Sequence, residues 1–522
     1  MTQWKTRYPA YWGDEFIVTS DDLQYLSTLL VEDELPRSAE ELSRALVLHR
    51  CREEEALIER ALSKGTPYRP SHSYEVDECV VFPVLGYRVG KVVGVRSGHN
   101  PEYDSFQVIQ VEFEDGRRRE FAAELAHHPL NHEEETGAEF SPEELATLYG
   151  PQVSAVLEKR LEAEPDFVCL AGKWFREDML VEVHVGHLNL AEAVLDMAEG
   201  GPLPTEALLG DLELPEEITP QLRIFSLNYA LQKDERFDEV GPTGEVLWFL
   251  RRLEPEGVQS VPLWLKYEPL DYDPALLTSE MLALERELDD EWSNLDSPAD
   301  VSEPVTVVLT YPHWRSGTLP LSSRLARVFP TGRTHRIRFS FVDGETGVQT
   351  PGWVVREGRY VYGLEEWYRT RNIPVGAYLE LARGKEPGTV MIRQRSRRPR
   401  REWVRIVLPT EGRLTFEMRK ELIACEYDEL MIVTGEDPEV MDTVWTRTQE
   451  QGLSLSQLIA EIFPQLAKLS PQGTVHAATL YSALNVAMRT SPGSLLAELV
   501  ASDVYAPVGD NYWVLRVGPG GV

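Results

Sequence analysis

The residues of this chain best suited to chemistry are arginines. The run Arg393-Gln394-Arg395-Ser396-Arg397-Arg398-Pro399-Arg400-Arg401 holds six arginines in nine positions. A guanidinium grips phosphate through a bidentate fork and reads guanine edges the same way. Arg315, Arg333, Arg336 and Arg338 stand upstream, with His313 and His335, while Tyr311 and Trp314 offer rings for stacking. From Glu303 to Lys420 there are 22 Lys and Arg against 11 Asp and Glu, a net of +11, whereas the other 404 residues carry 30 basic and 75 acidic side chains, a net of −45. The total of −34 on its own opposes contact with a polyanion. Its segregation says that one segment is suited to meet an anion and the rest is not.

Enzyme signatures do not emerge. The chain contains no GxxxxGK[ST], no GxSxG and no HExxH, the spacings that build phosphate loops, serine nucleophiles and zinc proteases. His127 and His128 with His132, Glu133, Glu134 and Glu135 read as a solvated loop, and Glu182, His184 and His187 lack a fourth ligand. Asp178, Glu182 and His184 are the nearest approach to a nuclease constellation, with His where Lys is needed. The four cysteines, Cys51, Cys79, Cys169 and Cys425, lie far apart without a CxxC pair, which fits small buried side chains in a reducing cytosol. No apolar run approaches a membrane span, and Met1–Lys5 lacks the apolar stretch of a signal peptide. The expectation is a cytoplasmic protein with no catalytic residues, metal, cofactor or membrane contact, its oligomeric state open.

The elements that must position the arginines follow from periodicity. Residues 305–408 are strand-rich: Val305–Leu309, Ile337–Phe341, Trp353–Val355, Tyr360–Tyr362, Tyr378–Leu381, Val390–Arg393 and Trp403–Val407, with helices expected at Ser322–Phe329 and Leu364–Arg371. The arginine run, between two of these strands, is expected at a hairpin tip. Residues 74–125 hold short β-branched runs split by glycines, with Asp115-Gly116 as a hairpin signal. Three stretches share one pattern: Leu157-x3-Leu161-x5-Phe167, Leu227-x3-Leu231-x5-Phe237 and Leu495-x3-Leu499-x5-Tyr505. Each pairs leucines on one helix face with an aromatic strand start, a glycine turn and a tryptophan strand. Residues 20–66 are helical, with Ser38-Ala39-Glu40-Glu41 at capping-box spacing. Residues 275–304 read as an acidic helix followed by a linker.

Several resemblances attach to these residues. Tyr74 through Phe82, then Gly90-Lys91-Val92-Val93, resembles the opening of SH3-like barrels of the Tudor, KOW and CarD type, which bind proteins or nucleic acids. Three helices followed by a hairpin resemble the winged-helix fold. Thr318–Leu321 with Phe329-Pro330, Ile337-x-Phe339 before Asp343-Gly344, Gly363–Tyr368 and Asn372–Leu381 together resemble the B3-like DNA-binding pseudobarrel superfamily. One departure stands out: Ala377 occupies the position where Asp is usual.

The expected fold is therefore multidomain α+β, with winged-helix-like repeats, an SH3-like small β-barrel and a B3-like β pseudobarrel. Its divisions are a helical 1–70, read as a degenerate winged helix; an SH3-like barrel, 71–132; winged-helix-like repeats at 140–180 and 185–272; the acidic helix and linker, 273–302; the basic pseudobarrel, 303–420; and a C-terminal winged-helix-like repeat, 421–522, with 20–82 also readable as a degenerate copy whose wing is Tyr74–Phe82. The expected function is non-enzymatic DNA binding, as a transcription regulator or chromosome-associated factor, with RNA not excluded. Arg393, Arg395, Arg397, Arg398, Arg400, Arg401, Arg333, Arg336, Arg338 and Arg315 would make the contacts. Two alternatives remain open: a protein-interaction scaffold using the acidic modules, and a DNA-recognition subunit of a restriction or defence system.

Overall fold

Thr19, Ser38 and Ser141 each accept the backbone N–H three residues on, while Asp22, Glu41 and Glu144 reach back to the cap. Three helix starts are thereby fixed by local chemistry. The computed structural model describes residues 5–7, 9–13, 16–100, 102, 105–131, 140–215, 217–293, 295, 303–434 and 438–516. The chain divides into two compact units, 1–183 with 214–229, and 184–213 with 230–522. The fold is multidomain α+β.

In the first unit, α1 (Ser20–Asp33), β1 (Arg37–Ser38) and α2 (Ala39–Leu62) come first. Next is a five-stranded sheet in sequence order: β2 (Thr66–Pro67), β3 (Cys79–Phe82), β4 (Arg88–Ser97), β5 (Gln107–Phe113) and β6 (Arg118–Ala123). Val80, Phe82, Val92, Ile109, Val111 and Phe113 form its core, and Gly116, at φ +75°, turns the β5–β6 hairpin as expected. Then come α3 (Pro142–Glu162), β7 (Phe167–Leu170) and β8 (Lys173–Arg176).

The pairing of β1 corrects the domain division. Arg37 and Ser38 pair with Trp174 and Lys173, and Leu26, Leu30, Leu42, Leu46, Leu157 and Trp174 share one core. The helices of the expected 1–70 and 140–180 divisions thus belong to one body, not two, and the five-stranded sheet, β2 included, is inserted between its second and third helices. Tyr74–Phe82 is no wing: Cys79–Phe82 belongs to the inserted sheet. Of the cysteines, Cys51 and Cys425 are buried as expected, but Cys79 and Cys169 are exposed.

In chain order there follow α4 (Val185–Met197), β9 (Leu203–Pro204), α5 (Thr205–Leu209), α6 (Pro220–Lys233), β10 (Phe237–Glu239) and β11 (Leu247–Leu250). The sheet order β10-β11-β9 matches β7-β8-β1 strand for strand. After α7 (Ser279–Leu288) come β12 (Val305–Val308), α8 (Tyr311–Ser316), β13 (Thr318–Pro320), β14 (Arg336–Asp343), β15 (Gln349–Val355), β16 (Tyr360–Tyr362), α9 (Glu365–Arg371), β17 (Tyr378–Arg383) and β18 (Thr389–Gln394). Seven strands form one sheet in the order β12-β17-β18-β14-β15-β16-β13, with β14 parallel to β18. The helix expected at Ser322–Phe329 is only the 3-10 turn Leu325–Arg327. The first helix is instead α8, begun by Pro312 in its first turn and stopped by Gly317 at φ +62°.

That sheet ends at Gln394, so the strands expected over 305–408 do not all lie in one sheet. β19 (Ser396–Thr410), β20 (Arg413–Cys425) and β21 (Ile432–Thr434) form a separate sheet in the order β20-β19-β21. Finally α10 (Pro438–Glu450) precedes α11 (Leu455–Ala467), β22 (Val475–His476), α12 (Ala477–Ala487), α13 (Pro492–Ala501), β23 (Tyr505–Gly509) and β24 (Tyr512–Leu515), with sheet order β22-β24-β23. Helix, short strand, two helices and a hairpin thus recur three times.

A buried ionic cluster ties the second unit together. Arg489 Nη2 donates to Asp290 and Glu291, each at 2.7 Å, and all three side chains are at most 2% exposed. His313 Nε2 lies 3.1 Å from Glu291, and Tyr481 donates to Asp290 at 2.5 Å. Burial works against the charge on Glu291, yet Arg489 and His313 hold it below the usual glutamate range. Burial and the charge of Glu291 push Asp290 the other way. The expected acidic helix is therefore corrected at its end: α7 stops at Leu288, and Asp289, Asp290 and Glu291 beyond it are buried. Residues 296–302 lie outside the described residues.

Candidate nucleic-acid interface

β19 and β20 make a long two-stranded ribbon because alternate residues stay apolar over its inner part. Val404, Ile406 and Ile423 enter the core beneath the seven-stranded sheet, and Val407 and Leu414 enter the core of the C-terminal helices. The arginine run is not a hairpin tip. It occupies the end of β18 and the first residues of β19, and the tip is Glu411-Gly412, with φ +54° and +71°. The β19–β20 register shifts between Ser396 and Arg400. Pro399, with no N–H for the ladder, sits in that irregular stretch.

Nine of the ten arginines fall into three groups, and Arg333 stands apart. Arg315, Arg336 and Arg338 are structural. Arg315 pairs with Asp442 at 2.8 Å and lies over the Trp264 ring, and Arg336 bonds Asp238 and Glu254. Arg338 lies over Trp353 and donates to the Phe339 carbonyl at 2.5 Å, and burial pulls its pKa down to about 10. Arg393, Arg395 and Arg397 keep partners within the fold. The first two flank Glu380 at 2.6 and 2.7 Å, and the third pairs with Glu402 over the Tyr427 ring. Arg398, Arg400 and Arg401 are exposed, without a carboxylate partner among the described residues. Arg333 is exposed but within electrostatic reach of Glu239. The expected stacking groups fail similarly. Tyr311 is buried, and Trp314 donates to the Ile373 carbonyl at 2.8 Å, while His313, expected beside the arginines, is buried as well.

Strand geometry separates the charges of the ribbon. Directly opposed residues share a face and successive residues alternate. Arg401 opposes Leu422, Trp403 opposes Lys420 and Arg405 opposes Met418. This outer face carries three cations and no carboxylate. The other face carries Glu402, Glu417 and Glu421, with Arg397 and Arg419 paired to Glu402 and Glu417. Trp403 is 59% exposed, Leu422 and Met418 are exposed beside it, and Lys420 Nζ lies 5.3 Å from the indole centroid. Arg405 donates to the Glu429 carbonyl, which leaves its charge uncompensated by a carboxylate among the described residues. Trp403, Arg405 and Lys420 were not expected as site residues, although the alternation Arg401-x-Trp403-x-Arg405 was there to be read.

Elsewhere the second unit holds a cavity of about 290 Å³ lined by Glu287, Asp289, Asp428, Tyr378 and His476 among others. Its carboxylates oppose an anion. His184 and His187, weighed as metal ligands, stack at 3.6 Å, and His184 accepts the Gly186 N–H as a helix cap. Among the described residues no group of His, Cys, Asp and Glu is placed to hold a metal, and no helix is long and apolar enough to cross a membrane. His132 and Glu133–Glu135 lie outside the described residues. No family model, no curated protein and no solved structure matches this chain.

Proposed function

We propose that this is a cytoplasmic, non-enzymatic DNA-binding protein, a transcription regulator or chromosome-associated factor, whose contact surface is the outer face of the β19–β20 ribbon. The observation that carries the reading is the segregation of charge across that ribbon: Arg401, Arg405 and Lys420 on the open face, with every carboxylate of the same stretch on the other. Arg398 and Arg400, exposed at the irregular start of β19, add positive charge beside that face, with Arg400 itself alternating to the Glu402 side. Free guanidinium and ammonium groups bind phosphate by releasing its counterions. On this reading the seven-stranded sheet is a B3-like pseudobarrel, the inserted sheet an SH3-like barrel, and the three recurring bodies winged helices. Their acidic surfaces hold the polyanion to the ribbon by repelling it elsewhere.

The test is fluorescence anisotropy of the full chain with a labelled DNA that has both a paired and an unpaired portion, as salt rises. Engagement of about five phosphates gives a log–log slope of about −4. Replacing Arg401, Arg405 and Lys420 together by Glu abolishes binding, while Arg419→Glu on the other face costs far less. Binding that ignores the triple replacement overturns the assignment. Salt-sensitive binding to a basic protein, with none to DNA, moves the chain to the class of interaction scaffolds.

A further inference from the structure

Trp403 asks for more than a phosphate. Tryptophan is among the most buried residue types on average, and a single exposed apolar side chain would need no account. Here Trp403, Met418 and Leu422 form one contiguous group on the outer face of the ribbon, since diagonal neighbours on paired strands lie within reach of each other. Arg401 and Arg405 stand two residues to either side of Trp403, about 7 Å away along the strand, and Lys420 stands directly across. The result is a flat π surface framed by cations on three sides, with no carboxylate on its face.

Resting on the DNA contact proposed above, we infer that this face takes unpaired nucleotides: a base stacks on the Trp403 indole while its flanking phosphates meet Arg401, Arg405 and Lys420. In a duplex the base faces are hidden by their neighbours, so an exposed indole finds only sugar and phosphate. In a single strand or a gap the base face is free, and stacking on an aromatic side chain is independent of sequence. Lys420, held over the ring in the free protein, swings to phosphate when a base takes its place. The alternative occupant, an acidic peptide, would use the same cations but gain nothing from a planar ring.

The experiment compares three probes on the full chain at one salt concentration: an oligothymidylate strand, a blunt duplex of equal length, and an oligoglutamate of equal charge. The strand is expected to bind at least about tenfold tighter than the duplex. Trp403→Ala should weaken strand binding by about five- to a hundredfold and leave duplex binding nearly unchanged, and Trp403→Phe should restore most of it. Trp403 is exposed, so the thermal midpoint of each variant should match that of the parent. Duplex binding equal to or tighter than strand binding overturns this inference while leaving DNA binding intact, as does an equal loss on both probes in Trp403→Ala. Oligoglutamate matching the strand replaces the nucleotide with a peptide. Absence of binding to either nucleic acid removes the underlying function as well.

Discussion

Arg489 and Asp290 meet at 2.7 Å with both side chains 1% exposed, although 199 residues separate them in the chain. Together with Glu291 they join the segment just after α7 to the segment just after α12. Removing one partner of a buried ion pair strands the other charge in a medium that solvates it poorly. Arg489→Ala should therefore cost about 3–5 kcal/mol in chemical denaturation. Replacing the cluster together, Arg489→Met with Asp290→Asn and Glu291→Gln, should recover much of the loss. A single variant as stable as the parent would show that the cluster carries no stability.

The arginines of the basic segment should separate by phenotype. Arg315, Arg336 and Arg338 are used inside the fold, so alanine at each should lower the unfolding midpoint. The cost is about 1–3 kcal/mol per broken charged contact, with DNA affinity of the surviving folded fraction little changed. Alanine at Arg398, Arg400 or Arg401 should do the reverse, leaving the midpoint in place and lowering both affinity and the salt slope, by about one per phosphate lost. Melting and binding measured on the same six variants decide this, and a shared phenotype would contradict the division.

How far these placements were legible in the sequence depends on the range of the interaction. Six of the seven expected strands of the basic segment lie in the seven-stranded sheet, because apolar alternation is local. The seventh, Trp403–Val407, was recognised as a strand but lies in the next sheet, and pairing partners are not local. The arginine run read as a tip because its charges mask the alternation and Pro399 breaks it, whereas the true tip, Glu411-Gly412, had only one glycine to announce it. Asp290 and Glu291 read as part of an acidic helix, since nothing near them in sequence foretells Arg489. The insertion between α2 and α3 had a faint local sign. Arg37-Ser38, Leu203-Pro204 and Val475-His476 are two-residue strands, each leading directly into a helix.

That insertion carries its own prediction. The sheet β2–β6 has a separate core built around Val80, Phe82 and Val111, and the body around it closes through β1, β8 and the leucines of α1 to α3. Exchanging residues 66–138 for a flexible Gly/Ser linker should leave the helices and the β1–β8 pairing folded. Circular dichroism should then show lost strand signal with helix signal retained. Collapse of the helical signal would mean that the sheet is part of the body that it interrupts.

The last prediction concerns pH. Arg336 Nη1 lies 2.9 Å from Asp238 and 2.9 Å from Glu254, whose side chain is 0% exposed. Burial, then the neighbouring Asp238, pushes the Glu254 carboxyl up to about 8. Its folded value therefore exceeds its unfolded one, and between the two the folded chain holds a proton that the unfolded chain has released. Stability falls with rising pH wherever the folded state binds more protons. The contribution is complete below the ordinary glutamate value and is lost as pH climbs through about 8. Glu254→Gln keeps the neutral shape and has no proton to lose, so its unfolding midpoint should decline less than that of the parent across this window. Thermal melts at matched ionic strength from mildly acidic to mildly alkaline buffer provide the comparison. Parallel curves for the two proteins would place the pH dependence elsewhere and return Glu254 to an ordinary ion pair with Arg336.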